Sequence, residues 1–352
     1  MGKKQHYVPQ FYMKKFSSNQ KSIGLYIFNQ EKYIENASIK DINLKHYFYG
    51  ENNANEKLLS ELEGKWNTII SEIIKTSTIP KHEKDYIYLC MLLMVSYGRT
   101  LAATEELEKA LKNLVDIMAE LSLDVYPNTK KQEYDVSFEG MSSVLLKASI
   151  GMTPIICDLI PVLIINKTKH DFITSDTPLC SYNQLFVSKK HRYAYGFGQI
   201  GLQLFFPISP RICLCLYDSA VYKVKIGVDG NIQVNNKRYI NEINKLLTLN
   251  ADKLIMFNNS CDKRLVKKYA KYKRCHEKIL TGGIAKSYDA DGEYLGKAAI
   301  WAIKSVYEKI KLRYFRINRE YLRLQLSQSP KLTRPQAEKF LQDRNPLESL
   351  FD

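Results

Sequence analysis

Between residues 55 and 76 the apolar side chains Leu58, Leu59, Leu62, Trp66, Ile69, Ile70 and Ile73 recur at three- or four-residue steps. That period places them on one face of a helix. Past residue 170 the period shortens. KHDFITSDTPLC, GLQLFFPISP, RICLCLYD and KLIMFNN are short runs rich in β-branched and aromatic residues, punctuated by proline. A chain that places helices first and strands later is expected to fold in the α+β class. The expectation is a mostly helical first half, a mixed or antiparallel sheet in the second, and a long basic C-terminal helix. With 352 residues and 45% hydrophobic content the chain can bury a sizeable core.

The periodicity predicts further helices from about His82, over Thr104–Leu121, over 139–150 and over 238–250. SIGLYIFNQEKYIE reads as two strands around a polar turn. VYKVKIGVDGNIQV reads as a hairpin around Asp229-Gly230, a type I′ signal. From Gly296 to about Leu326 the residues Ile303, Tyr307, Ile310, Tyr314, Ile317, Tyr321 and Leu324 are spaced 4, 3, 4, 3, 4, 3. That is a heptad-like seam, and it predicts one long helix. Around it stand Lys304, Lys309, Lys311, Arg313, Arg316, Arg319 and Arg323. Homo-oligomerisation through the 303–324 seam is one expectation, although aromatic seam residues specify a zipper poorly and favour packing on the protein's own body. A last helix is expected from Thr333, with Pro335 in its first turn. These features divide the chain into an α+β core over 1–260 and a basic, mainly helical extension over 261–352.

Charge separates the two parts. The formal net charge is +15, and from Lys263 to Asp352 there are 21 Lys and Arg against 10 Asp and Glu, so +11 of the +15 lies there. Such asymmetry points to an anionic partner, with DNA or RNA ahead of a membrane surface. LVKKYAKYKRCHEK interleaves tyrosines with lysines. That mix suits single-stranded nucleic acid, whose bases stack while its phosphates are neutralised, and it suits an ordinary exposed helix as well. The seven cysteines form no C-x-x-C pair and read as reduced thiols of a cytoplasmic protein. The longest apolar run, Met152–Ile165, is short for a membrane span and contains Asp158.

No phosphate-binding loop, dinucleotide fingerprint, nucleophile elbow or zinc-ligand spacing occurs. What the chain does carry is QHYVPQFYMKKF near its start, YGRT at the end of an apolar helix, ITSDTP after a strand, and FPISP. These stretches, with LLSELEGKWNTIISEI, resemble the landmarks of a bacterial family known as domain of unknown function 4238, whose members open with Q-H-Y-V-P-Q-x-Y-L-x-x-F. The resemblance spans about residues 3–260. Met13 replaces its leucine, Thr177 stands where Asn is common, and Ile208 stands for leucine. It implies positions and no activity.

Those positions suggest chemistry. His6 titrates near neutrality and suits general acid–base work. Asp176, in a turn after an apolar strand, suits a base or a ligand for Mg²⁺ or Mn²⁺. Arg99 could clamp a phosphate or lock a carboxylate. Gln10 and Tyr12 would add hydrogen-bonding groups. Lys267, Lys268, Lys271, Lys273, Arg274, Arg316, Arg319 and Arg323 would hold the substrate backbone. Each also has a structural reading: a satisfied histidine, a turn-capping aspartate, a paired arginine, a solvated face. The first expectation is a metal-assisted phosphodiester hydrolase acting on nucleic acid in a bacterial defence or toxin-like system. The second is a non-catalytic nucleic-acid- or protein-binding subunit of a larger complex. An enzyme acting on a small nucleotide is a third.

Overall fold

The apolar seam over 55–76 becomes one face of a helix of 23 residues that buries Leu59, Leu62, Trp66, Ile70 and Ile73. Around it the computed structural model describes residues 4–49, 54–125, 140–190, 196–276, 279–280, 283–288, 293–300, 305–324 and 332–343. The chain opens with β1 (Lys4–His6), α1 (Gln10–Lys14), β2 (Ser22–Ile27), β3 (Lys32–Ser38) and β4 (Leu44–His46). The helices α2 (Ala54–Thr76), α3 (Glu83–Gly98), α4 (Leu101–Val125) and α5 (Met141–Gly151) follow, then a 3-10 turn (Thr153–Ile156). Next come β5 (Ile160–Asn166), β6 (Thr174–Ser175), β7 (Cys180–Tyr182), α6 (Gln184–Ser188), β8 (Gln203–Ser209), β9 (Ile212–Tyr217), β10 (Tyr222–Val224) and β11 (Ile232–Val234). The rest comprises α7 (Lys237–Asn250), β12 (Leu254–Phe257), α8 (Lys263–Cys275), β13 (Ile279–Leu280), β14 (Gly283–Tyr288), β15 (Tyr294–Ile300), β16 (Ser305–Val306), β17 (Phe315–Ile317), α9 (Arg319–Arg323) and α10 (Pro335–Gln342).

The class is α+β. A seven-stranded mixed sheet runs β11-β5-β9-β8-β7-β16-β13, and a four-stranded antiparallel sheet runs β3-β2-β12-β6. β8 and β9 lie inside the larger sheet, and every residue of β8 is buried. That explains their nearly continuous apolar sequence, because both faces are covered. Pro207 sits within β8, where the ladder loses a donor; the register shifts between Pro207 and Ser209 as a bulge absorbs it. Among the described residues no single helix is long and apolar enough to cross a membrane.

Two sequence expectations are corrected. The strands of VYKVKIGVDGNIQV do not pair with each other: β10 pairs with β17, and β11 runs parallel to β5. A turn forms there, with Gly230 at φ 76° and Gly230 N–H donating to Gly227 O at 3.1 Å, but Asp229 does not share the positive φ that a type I′ turn requires. β11 takes the edge of the seven-stranded sheet, and β10 forms a two-stranded ribbon with β17.

Among the described residues the long C-terminal helix is also absent. The described part of 296–324 is β15, β16, β17 and the short α9. Among the described residues Ser305, Val306, Ile310, Leu312 and Phe315 are buried there, and of these only Ile310 belongs to the expected seam. Ile303 and Lys304 lie outside the described residues, as does any part of the last helix beyond 343. Tyrosine, isoleucine, valine and phenylalanine favour pleated, half-buried surfaces, and β16 fills the position between β7 and β13. Phe315 packs its ring edge-on against Phe205, Tyr217 and Tyr222. The helical seam proposed for self-association therefore does not exist in this region.

Strands beyond residue 260 join strands from before it. β16 and β13 belong to the main sheet and β17 to a ribbon with β10. Further on, Arg334 is buried on Asp158, with Nε at 2.7 Å from Oδ2 and Nη2 at 3.1 Å from Oδ1. Its Nη1 donates to Gln199 O at 2.8 Å. This bidentate pair fastens the start of α10 to the body.

Candidate functional site

The N-terminal hallmark is a strand running into a helix. β1 pairs antiparallel with β4, His6 opposite Leu44, and Pro9 stands at the N-cap of α1. The turn of backbone between β1 and α1 brings His6 and Gln10 side by side. His6 Nδ1–H donates to Ile42 O at 3.1 Å, and Gln10 Nε2 donates to His6 Nε2 at 2.8 Å. Both ring nitrogens are thus engaged. Burial, opposed by the Ile42 hydrogen bond and reinforced by the Arg99 charge, holds the imidazole pKa below its ordinary 6.5.

A histidine depressed in the folded state binds fewer protons than in the unfolded chain, so it lowers stability as pH falls from 6.5 toward its folded pKa. His6→Asn should therefore flatten the pH dependence of the urea midpoint in that window. An unaltered slope would contradict the placement.

Arg99 caps the C-terminus of α3, where a cation also complements the helix dipole. The preceding Gly98 lets α5 come close, since a Cβ there would meet Ser149 Oγ at 1.8 Å. The guanidinium is buried and three of its nitrogens are used. Nε donates to Tyr49 OH at 3.0 Å, Nη1 to Glu63 Oε1 at 2.8 Å and Nη2 to the backbone carbonyl of His6 at 2.8 Å. His6 and Arg99 therefore adjoin through the main chain and not through the imidazole. Gln5 completes the join: its Oε1 accepts from Tyr49 N–H at 2.7 Å.

Asp176 is buried at the end of β6. Its Oδ1 accepts from Asp252 N–H at 2.9 Å, and its Oδ2 from Lys253 and Leu254 N–H at 2.7 and 3.3 Å. The chain leaving α7 must satisfy these amides before β12 begins, and the carboxylate does so. Thr177 Oγ1 donates to Asn250 O at 2.8 Å in the same knot. The charges acting on His6 are those of Arg99, Glu63 and Asp41. Asp176 instead faces Tyr7, whose hydroxyl is pushed well up by burial and by Asp176, Asp252 and Glu105. The landmark stretches converge, but as the clasp of an N-terminal segment.

Tyr12 is core as well. Its hydroxyl meets Thr174 Oγ1 at 2.7 Å and donates to Pro207 O at 2.7 Å. Among the described residues no three His, Cys, Asp or Glu side chains stand together in a way that could hold a metal ion.

The basic residues lie elsewhere. Asp262 caps α8 by accepting from Arg264 N–H at 2.8 Å. Lys267, Lys268, Lys271 and Arg274 then project from the helix surface, whereas Lys273 is buried. Lys273 Nζ donates to Ala251 O at 2.9 Å and caps the end of α7, so it has no place in substrate binding. Arg274 pairs with Glu31. Arg316, opposite Lys223 on the β10–β17 ribbon, is exposed, as are Arg319 and Arg323 on α9.

Between α7 and α8 runs a groove of about 430 Å³. Arg238, Lys245, Lys268 and Lys271 line it against one carboxylate, Glu242, which Lys245 pairs at 2.9 Å. Tyr272 and His276 stack in it, with centroids 4.2 Å apart and planes 16° from parallel. Lys245 Nζ lies 4.8 Å from the Tyr272 centroid. Burial, with Glu308 and Glu242, pushes the Tyr272 hydroxyl up to about 12, so it stays a donor. Sequence reasoning identified Lys268 and Lys271 but missed Arg238, Lys245 and His276. The amphipathic pattern of α7 was the available signal, and it does not reveal which helix lies alongside.

The family model for a protein of unknown function, DUF4238, matches residues 4–260. The chain belongs to this family. The DUF4238 match takes in the clasp of Gln5, His6, Tyr49, Glu63 and Arg99, and Asp176 and α7 as well, and stops just before α8. No curated protein and no solved structure matches the chain.

Proposed function

We propose that this protein binds single-stranded DNA or RNA along the groove between α7 and α8, as the non-catalytic, nucleic-acid-binding component of a larger bacterial assembly. The observation that carries this reading is the groove itself. It joins four cations to a parallel aromatic pair, which is the combination that tracks a phosphate backbone while bases stack. Binding is favoured over hydrolysis because His6, Arg99 and Asp176 spend their polar atoms on this chain's own backbone and side chains. Mg²⁺ or Mn²⁺ enters this reading only as a counter-ion of the nucleic acid.

Fluorescence anisotropy with labelled single-stranded oligonucleotides tests it. Three or four neutralised phosphates predict a log–log salt slope of about −2 to −3. Lys268→Glu with Lys271→Glu should weaken binding at least tenfold, and Tyr272→Ala by roughly five- to a hundredfold, the range expected for one lost stack. Wild-type affinity in the double charge reversal would sink the proposal.

A further inference from the structure

The groove between α7 and α8 contains an amide whose orientation the surrounding fold dictates. Asn244, in α7, is fully buried. Its Oδ1 accepts from Ile173 N–H at 3.2 Å, so its Nδ2 is the end that donates. That nitrogen donates to Asp171 O at 2.8 Å and to Tyr269 OH at 3.1 Å. The buried Tyr269 hydroxyl, having accepted, gives its own hydrogen to Asn241 Oδ1 at 2.9 Å. His170 Nδ1–H donates to the same oxygen at 2.9 Å. The backbone at Asp171 and Ile173 thus sets the direction of each bond as far as Asn241. Both lone pairs of Asn241 Oδ1 are taken, while its Nδ2 makes no hydrogen bond to the described residues. Asn241 is half-buried and lines the groove. It stands one helical turn before Lys245, whose ammonium lies over the Tyr272 ring.

Such an amide gives hydrogen bonds and takes none. Asparagine reads adenine with both of its ends, the oxygen accepting from the amino group and the nitrogen donating to N7. Here the oxygen is spent, so that paired contact is closed. What remains suits a carbonyl oxygen, which thymine, uracil, cytosine and guanine carry and adenine lacks.

We propose that Asn241 is a specificity-determining residue that gives the groove a preference for bases bearing a carbonyl oxygen over adenine, with Tyr269 and Asn244 positioning it. The inference rests on the reading of the groove as a site for single-stranded nucleic acid. Lys245, Lys268 and Lys271 neutralise phosphates whatever the base, and Tyr272 offers a stacking face to any base, so neither distinguishes one sequence from another. Asn241 supplies the contact to a base edge.

The test measures the full-length chain against labelled oligo-dT, oligo-dA and an oligo-dA in which alternate adenines are replaced by hypoxanthine. Hypoxanthine keeps the purine ring and carries a carbonyl where adenine has its amino group, so it separates edge reading from stacking. Wild type should bind oligo-dT and the hypoxanthine oligomer roughly three- to tenfold more tightly than oligo-dA, the worth of one hydrogen bond net of water. Asn241→Ala should bring the three affinities together. Tyr269→Phe keeps the amide and the ring but removes the hydroxyl that fixes the amide's direction, and it should narrow the preference. The wild-type comparison needs no variant, so it decides the matter even where a variant folds poorly. If hypoxanthine gains nothing over adenine, or if a folded Asn241→Ala chain keeps the full preference, the inference is overturned. The groove reading survives that result as long as Lys268→Glu with Lys271→Glu still weakens binding. A wild-type chain that binds none of the three oligomers overturns both.

Discussion

Arg99→Ala is expected to lower the unfolding free energy by about 3 kcal/mol, the lower end of the range for breaking a buried ion pair. The lower end applies because Glu63 is 28% exposed and can turn to water once its partner is lost. Tyr49 OH and the carbonyl of His6 have less recourse, since both lose a donor inside the fold. Arg99→Lys should recover only part of the loss, because one ammonium cannot reach the three acceptors that the planar fork spans. Urea denaturation gives the numbers. The result also separates two roles, since a phosphate clamp turned toward a ligand would cost binding and little stability. A fully stable Arg99→Ala protein would mean that the clasp does not hold the N-terminal segment.

Asp176→Ala should be comparably destabilising, by about 3 kcal/mol, and for a different reason. The chief loss falls on backbone donors. Three backbone N–H groups at Asp252, Lys253 and Leu254 lose their acceptor, and each buried orphan costs roughly 1–3 kcal/mol, discounted where water can enter. Asp176→Asn keeps one oxygen but turns an NH₂ toward a donor, so it should fall between wild type and alanine. Hydrogen exchange adds a local readout: amides at 252–254 should lose protection in Asp176→Ala before the centre of β8 does. Unchanged protection there would show that the carboxylate is not what satisfies the turn.

How much of the site was legible follows from what each residue contributes. The Q-H-Y-V-P-Q stretch marked His6 and Gln10 as neighbours of interest, and they do touch. Arg99 at the end of an apolar helix suggested a carboxylate partner, and the half-buried Glu63 is one. Sequence could not show that Arg99 reaches the backbone of His6, because a main-chain carbonyl carries no residue identity. Asp176 was legible as a turn residue, while its acceptance of amides from a segment some seventy-six positions later was not. Lys273 was read with its lysine neighbours, yet it alone turns inward to close the end of α7.

The same division holds for the fold. The sequence by itself determined the α+β class, the α2 seam, the β2–β3 pairing and the strand character of β8 and β9, because these rest on local period and turn chemistry. Only the tertiary structure decided what 296–324 would become. Its three- and four-residue spacing satisfies a helix, but its β-branched and aromatic residues satisfy a strand equally well. Pairing with β7 and with β10 settled the choice, since a partner strand gives backbone hydrogen bonds and apolar cover at once. The groove between α7 and α8 belongs to the same category, because it is made by two segments that local pattern cannot pair.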